Sequence, residues 1–314
     1  MKSEMKLITN LILLPLSSSF MATTLPLRPV VRSGHFAKSG DAPQYEKIDA
    51  KLREAENLAK GSVMLHIDSS SPVDFKAGHV IALEMEKVDG HSEHEDTIKN
   101  GGWSRGPYTI SRATDDTFDV LIKVVGDKSK AFAAAEPGTH FRFGGKFKVP
   151  ITEGIDKEST KRVVLISTGV GIGPCVGAIE EAMNDDTFPP IELYPSFRTA
   201  EEVTYGEHLN HLVDENSQRL KWNPIITGKI GRLSSSETNL KSIEPSNDLS
   251  LLDTHYHLIG NGQMVQEWKE GLSKAGVPDG KVTTESYFNH KERADDKAIS
   301  NIAKFIRESC VVVV

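Results

Sequence analysis

Apolar residues follow two rhythms along this 314-residue chain, and the change between them falls near residue 153. Before it, short runs rich in Val, Ile, Tyr, Phe and Thr stand at Ser62–Ile67, His79–Met85, Pro107–Ser111, Phe118–Val125 and Thr139–Phe143, punctuated by glycine and proline. Strands this short and this closely spaced predict a small antiparallel barrel. After it, strands alternate with stretches of helical period. Val163–Ser167 precedes Val176, Ile179 and Met183; Ile191–Tyr194 precedes Tyr205, Leu209 and Leu212; His255–Ile259 precedes Val265, Trp268 and Leu272. That alternation predicts a doubly wound α/β domain. The expected fold class is therefore α+β with two domains, an antiparallel β-barrel at 61–152 followed by a doubly wound α/β domain at 153–290. Ile48, Leu52, Ala55 and Leu58 recur at helical spacing and predict a leader helix within 41–60. Ile302 and Phe305 suggest a further helix in a tail at 291–314, while His91–Gly102 and Ser234–Ser250 carry no period and read as surface excursions.

Composition narrows the function classes. Lys and Arg number 37 against 44 Asp and Glu, a net charge of −7, which argues against a general nucleic-acid or anionic-membrane binder. Two cysteines, Cys175 and Cys310, make neither a disulfide framework nor a thiolate metal site, and four valines after Cys310 are one residue too many for a prenylation box. Lys2 and Lys6 precede the apolar run Leu7–Leu16, too short to cross a bilayer, with Ser17 and Ser19 before Phe20. Phe20–Gly40 then carries Arg28, Arg32 and Lys38 and no acidic residue. Residues 1–40 thus read as a targeting presequence, signal peptide plus transit-like segment. The tandem resembles the bipartite plastid presequences of algae with complex plastids; plain entry to the secretory pathway is the other reading.

The candidate chemistry begins where Val163-Val-Leu-Ile-Ser-Thr168 runs into Gly169-Val170-Gly171-Ile-Gly173-Pro174. Glycines there let the backbone approach a ligand, and the amides opening the next helix favour negative charge. The turn reads either as a pyrophosphate cradle or as ordinary strand-to-helix punctuation. Gly126-Asp-Lys128-Ser129 is likewise either an anion nest or a hairpin turn. His91 and His94, His208 and His211, and His255 and His257 pair at short spacing, but none has a third ligand in pattern, so no metal site is expected.

Taken in order, five segments resemble the ferredoxin–NADP reductase family of flavoproteins: Phe75–Leu83; Arg105-Gly-Pro-Tyr108-Thr109-Ile110-Ser111; Gly126–Phe132 with Pro137-Gly138; the glycine turn at 168–174; and His257–Val265, which contains Gly260-Asn261-Gly262 and Met264. The resemblance implies an FAD-binding barrel and an NAD(P)-binding α/β domain. It places Tyr108 and Thr109 at the isoalloxazine, with Ile110 and Ser111 continuing that strand. Arg105, Lys128 and Ser129 fall at the FAD pyrophosphate, and Thr168, Gly169, Val170, Gly171 and Pro174 on the dinucleotide. Arg105 stands three residues before Tyr108 where the family has two, so it leaves the strand on the other face unless a bulge at Gly106-Pro107 restores it. Ile259 stands where the family often has cysteine, and Cys175 is a partial substitute or simply a small apolar residue. Arg198, Lys229 and Arg232 offer positive charge for a 2′-phosphate, favouring NADP(H), with NAD(H) possible. Glu285, Tyr287 and Phe288 close the last strand either over the flavin or into the core, Glu285 being the candidate for proton traffic.

The implied activity is hydride transfer between NAD(P)H and FAD, with electrons passed on to a carrier or a small acceptor. From Lys123 to Lys148 six basic residues face two acidic ones, a patch suited to steering a small acidic carrier such as ferredoxin or flavodoxin. An NADH-type electron-transfer subunit for a partner redox protein and a non-catalytic dinucleotide-binding regulatory module remain as alternatives.

Overall fold

The computed structural model describes residues 45–86, 102–231, 250–288 and 299–304. The presequence, both of His91 and His94, Arg232, most of the polar excursion at 234–250, the Phe288 side chain, Phe305 and Cys310 lie outside them.

Seven strands form the first sheet: β1 (Ile48–Ala59), β2 (Ser62–Ser69), β3 (Val80–Glu86), β4 (Trp103–Thr109), β5 (Arg112–Ala113), β6 (Thr117–Lys123) and β7 (His140–Gly144), in the order β4-β3-β7-β1-β2-β6-β5. Every pairing is antiparallel. The expected leader helix is instead β1, which pairs with β2 on one side and β7 on the other. Its register with β2 shifts between Leu52 and Glu54 and again between Asn57 and Ala59. Each bulge inserts one residue, turning a two-residue alternation into the spacing of three that imitates a helix. Inside the sheet, Leu65, Ile67, Ile81, Leu83, Phe118, Phe141 and Phe143 are fully buried, and α1 (Asp127–Ala133) plugs the core with Phe132. Burying each such side chain contributes about 1.5–3 kcal/mol.

The second sheet consists of β8 (Arg162–Thr168), β9 (Ile191–Phe197), β10 (Leu220–Trp222), β11 (Ile225–Ile226), β12 (Thr254–Asn261) and β13 (Val282–Phe288), with the short helix α4 (Thr227–Ile230) following β11. It is parallel, in the order β10-β9-β8-β12-β13, with β11 beside the end of β9. Val163–Ile166 reads as a continuous apolar run because both faces are covered. On one face lies α2 (Ile172–Met183); on the other, α5 (Gly262–Ala275) buries Trp268 and Leu272. Chain order reverses between β8 and β12, and ligands of such sheets bind beyond the carboxyl ends at that switch point. The helical segment 299–304 buries Ile299 and Ile302, and Ile302 abuts Gly271 of α5, so this part of the tail packs on α5.

Helix α2 also joins the two sheets. A Cβ at Gly177 would overlap the Ser111 carbonyl oxygen and sit 2.9 Å from the Ala77 Cβ, so the helix backbone lies directly on the barrel. Beside it, Arg112 of β5 forms a two-pronged pair with Glu180 of α2 at 2.7 and 2.6 Å, and His208 of α3 (Gly206–Glu215) meets the same carboxylate at 2.6 Å.

Candidate active site

Beyond β8 the burial breaks. Residues 162–167 are buried, whereas Thr168, Gly169 and Val170 are half exposed. Gly169 takes a φ of +53° and a Cβ there would meet nothing, which leaves open room above the turn. Gly260, at the matching end of β12, has a φ of +126° and lies so close to Thr168 that a Cβ would overlap its hydroxyl. The Asn261 amide donates to Thr168 Oγ1 at 2.7 Å, stitching the two turns together. The Asn261 side chain accepts from the Gln263 and Met264 amides and caps α5 at Gly262. Met264 turns into the core with Trp268, away from the crevice, and Pro174 is buried in the first turn of α2.

Next to these turns the barrel and the parallel sheet share a buried contact. Thr109, at the end of β4, donates its hydroxyl to Glu285 Oε1 of β13. Glu285 stands opposite Ile259 in the ladder and is 6% exposed. Burial pushes its carboxyl up to about 7, against the Thr109 hydrogen bond and the Lys148 ammonium, which lower it. Glu285 therefore holds or yields a proton near neutrality. Tyr287 packs against the core that contains α2, its hydroxyl raised well above the ordinary value by burial and by the Glu285 charge. Cys175, fully buried, lies in the same charge neighbourhood; burial and Glu285 raise its thiol, so it stays protonated.

Tyr108 faces the other way. Its ring stacks on Phe132 at 5.3 Å between centroids, and burial pushes its hydroxyl up to about 12. The β3–β4 register runs from Val80–Thr109 to Glu86–Trp103 without interruption, so no bulge stands at Gly106-Pro107. Arg105 accordingly lies on the face opposite Tyr108, donating to the Tyr45 hydroxyl at 2.5 Å and pairing with Glu84 at 3.4 Å. Glu84, 2% exposed, also binds Lys47 and Arg142, a cluster that sequence reasoning missed although a glutamate within Val80-Ile-Ala-Leu-Glu-Met was its signal. Ile110 is in the barrel core, and Ser111 is pressed against α2. Ser129 closes its own loop, accepting from the Val125 and Gly126 amides and donating to the Gly126 carbonyl, while Lys128 Nζ reaches the Arg105 carbonyl at 2.8 Å. Arg198 and Lys229 are both exposed beyond β9 and β11, held together by the Gly228 amide on the Arg198 carbonyl at 2.9 Å.

His255 and His257 are buried on β12, and burial lowers them to about 4 and about 3. Between those values and the ordinary 6.5 the unfolded chain binds more protons, so stability rises with pH there and is lost as pH falls. Urea midpoints at pH 4.5 and 7 are expected to differ clearly in the wild type and by less in His257→Gln.

A family model described as the oxidoreductase NAD-binding domain matches residues 165–270. A flavohemoprotein of Candida norvegensis is 28% identical over 121 residues, which is 38% of this chain and 28% of that protein, so the match spans under a third of the relative's length. Among solved structures, a ferredoxin NADP+ reductase from Neisseria gonorrhoeae with bound FAD and NADP gives a TM-score of 0.62 at 20% identity, covering 77% of this chain and 99% of its own. A cytochrome P450 reductase from Amycolatopsis gives 0.61 at 17%, covering 77% and 70%. A flavohemoglobin from Malassezia yamatoensis with bound FAD and heme gives 0.62 at 18%, covering 77% and 60%. The common feature is the arrangement described above, an antiparallel barrel followed by a parallel α/β domain.

Proposed function

We propose that this chain, which has the two-domain fold of the ferredoxin reductase-like FAD- and NAD-binding oxidoreductases, is a flavin-dependent reductase that takes hydride from NAD(P)H, with NADPH preferred. The observation that carries the reading is the buried Thr109–Glu285 hydrogen bond between the two sheets, set beside an open glycine turn at the switch point. The residues present suit both groups. Gly169 and Gly126 leave space where any other residue would place a Cβ, as close backbone approach to a pyrophosphate requires. When bound, FAD would accept hydride from the nicotinamide and release electrons singly. Tyr108, braced by Phe132, together with Tyr287 would hold the flat ring; the Gly126–Ser129 loop and Lys128 would hold its pyrophosphate. Thr168–Gly171 and Gly260–Gly262 would seat the dinucleotide. Thr109 donates to Oε1 and so orients the Glu285 carboxyl, which holds or yields a proton near neutrality.

Electrons would leave to a small acidic carrier such as ferredoxin or flavodoxin. Lys146, Phe147, Lys148 and Val149 are all exposed, an apolar pair interleaved with lysines, and Lys148 acts on Glu285. We read residues 1–40 as the address that brings the protein to a plastid.

Anaerobic titration with NADPH and then NADH is expected to bleach the flavin absorbance, NADPH acting at lower concentration. Protein that stays colourless after incubation with FAD sinks the reading. Charge-assisted hydrogen bonds are worth roughly 1.5–3 kcal/mol. Arg198→Ala with Lys229→Ala should therefore lower kcat/KM for NADPH by about tenfold or more and leave that for NADH little changed; equal losses would remove the case for phosphate recognition.

A further inference from the structure

Apart from Glu285, one buried polar row takes no part in the chemistry so far. His255 and His257 on β12 and Thr283 and Glu285 on β13 line one side of the parallel sheet, with His257 opposite Thr283 in the ladder. The Thr283 hydroxyl lies 2.9 Å from His255 Nε2 and 2.9 Å from His257 Nδ1. The remaining ring nitrogens, His257 Nε2 and His255 Nδ1, are buried without a partner. The stretch 148–156 covers the row. Lys148 acts on both Glu285 and His257, a Cβ at Gly154 would stand 3.5 Å from the Thr283 methyl, and Asp156 with Lys281 flanks His255 at the outer end. Around Glu285 itself stand Thr109, Lys148, Cys175 and Tyr287.

A threonine hydroxyl carries one hydrogen, so it donates to one imidazole and accepts from the other. With His257 protonated at Nδ1 and His255 at Nδ1, the row reads N–H to O–H to bare N, and the unpartnered atoms are an acceptor, His257 Nε2, and a donor, His255 Nδ1. Two orphaned ring nitrogens carry a desolvation cost that leucines in their place would avoid.

We propose that His257, Thr283 and His255 are positioning residues of a relay that carries protons between the Glu285 carboxyl and solvent beside Asp156 and Lys281. Its purpose rests on the reductase reading. Each hydride brings two electrons and one proton; when electrons alone leave to a carrier, one proton per hydride must exit. A proton leaving Glu285 enters at His257 Nε2. The Nδ1 hydrogen of His257 passes to Thr283 Oγ1, the Thr283 hydrogen passes to His255 Nε2, and the Nδ1 hydrogen of His255, which is buried, leaves to a water admitted beside Asp156 and Lys281. One proton enters, one leaves, and no electrons move. Neighbours on one strand face are about 6.6 Å apart, a span that one water bridges between Glu285 and the relay.

The test follows the protonated-carboxyl infrared band of the purified full-length protein after a pH jump from 9 to 6, with Glu285→Gln identifying the band by its loss. Thr283→Val is expected to slow the band's appearance by about tenfold or more, and Thr283→Ser to restore the wild-type rate. His255→Gln, which interrupts the outer end, gives the same slowing should the valine variant fail to fold. Wild-type rates in both Thr283→Val and His255→Gln overturn the relay. Bleaching of the wild-type flavin by NAD(P)H tests the reductase reading separately, so each can fail without the other.

Discussion

Gly177→Ala is expected to destabilise the protein by more than about 3 kcal/mol, or to prevent folding. Helix propensity alone forecasts the opposite, because alanine in a helix interior is favoured over glycine by about 1 kcal/mol. The contact decides the sign. The new methyl would overlap the Ser111 carbonyl oxygen and press on the Ala77 Cβ, and neither is the free end of a flexible side chain. Accommodation requires α2 to lift from the barrel, which would strain the Arg112–Glu180–His208 cluster and draw Cys175 away from Glu285. Against a total stability of about 5–15 kcal/mol such a loss is large. Gly280→Ala is the control, since a Cβ there meets nothing and its φ is unexceptional. Denaturant midpoints of the two variants check the claim; a Gly177→Ala protein as stable as the control would mean that the sheets do not meet through this helix.

The architecture was legible wherever burial is one-dimensional. Val163–Ile166 is covered on both faces and so reads as an unbroken apolar run, and the glycines after it are required by backbone geometry that no side chain substitutes. Legibility failed where a local irregularity changed the period. The two bulges of β1 spaced Leu52, Ala55 and Leu58 as a helix would, and only the pairing with β2 reveals the extra residues. Arg105 failed for the converse reason. A bulge was needed to bring it beside Tyr108, the ladder contains none, and its guanidinium goes to Tyr45 and Glu84 instead. Contacts between residues far apart in the chain were invisible. Nothing in the sequence joins Thr109 to Glu285 except the family resemblance, and nothing at all joins Arg112 to Glu180 and His208. The short spacing of His255 and His257 raises the question of a metal, whereas their shared partner is a threonine on the neighbouring strand.

Glu285→Gln is expected to lower the rate of electron delivery by about a hundredfold or more, the scale of a lost acid–base group, while making the protein more stable at alkaline pH. Both effects come from one cause. Burial holds the carboxyl up at about 7, whereas the unfolded chain titrates near 4.5. Between those values the folded state binds more protons than the unfolded, so stability falls as pH rises through that window and stays lower above it. The loss is on the order of 3 kcal/mol. Glutamine keeps an acceptor for the Thr109 hydroxyl but cannot ionise, so this decline is lost from the variant and the rise that His255 and His257 contribute below about 6.5 stands alone. Thr109→Val should act in the opposite sense. Removing a hydrogen bond that lowers the carboxyl lets it rise further, and the decline then extends to higher pH. Unfolding midpoints of the three proteins at pH 5, 7 and 9 separate the cases. A stability difference between the wild type and Glu285→Gln that does not change from pH 5 to 9 would place the titrating group elsewhere, and the acid–base role would have to be reassigned with it.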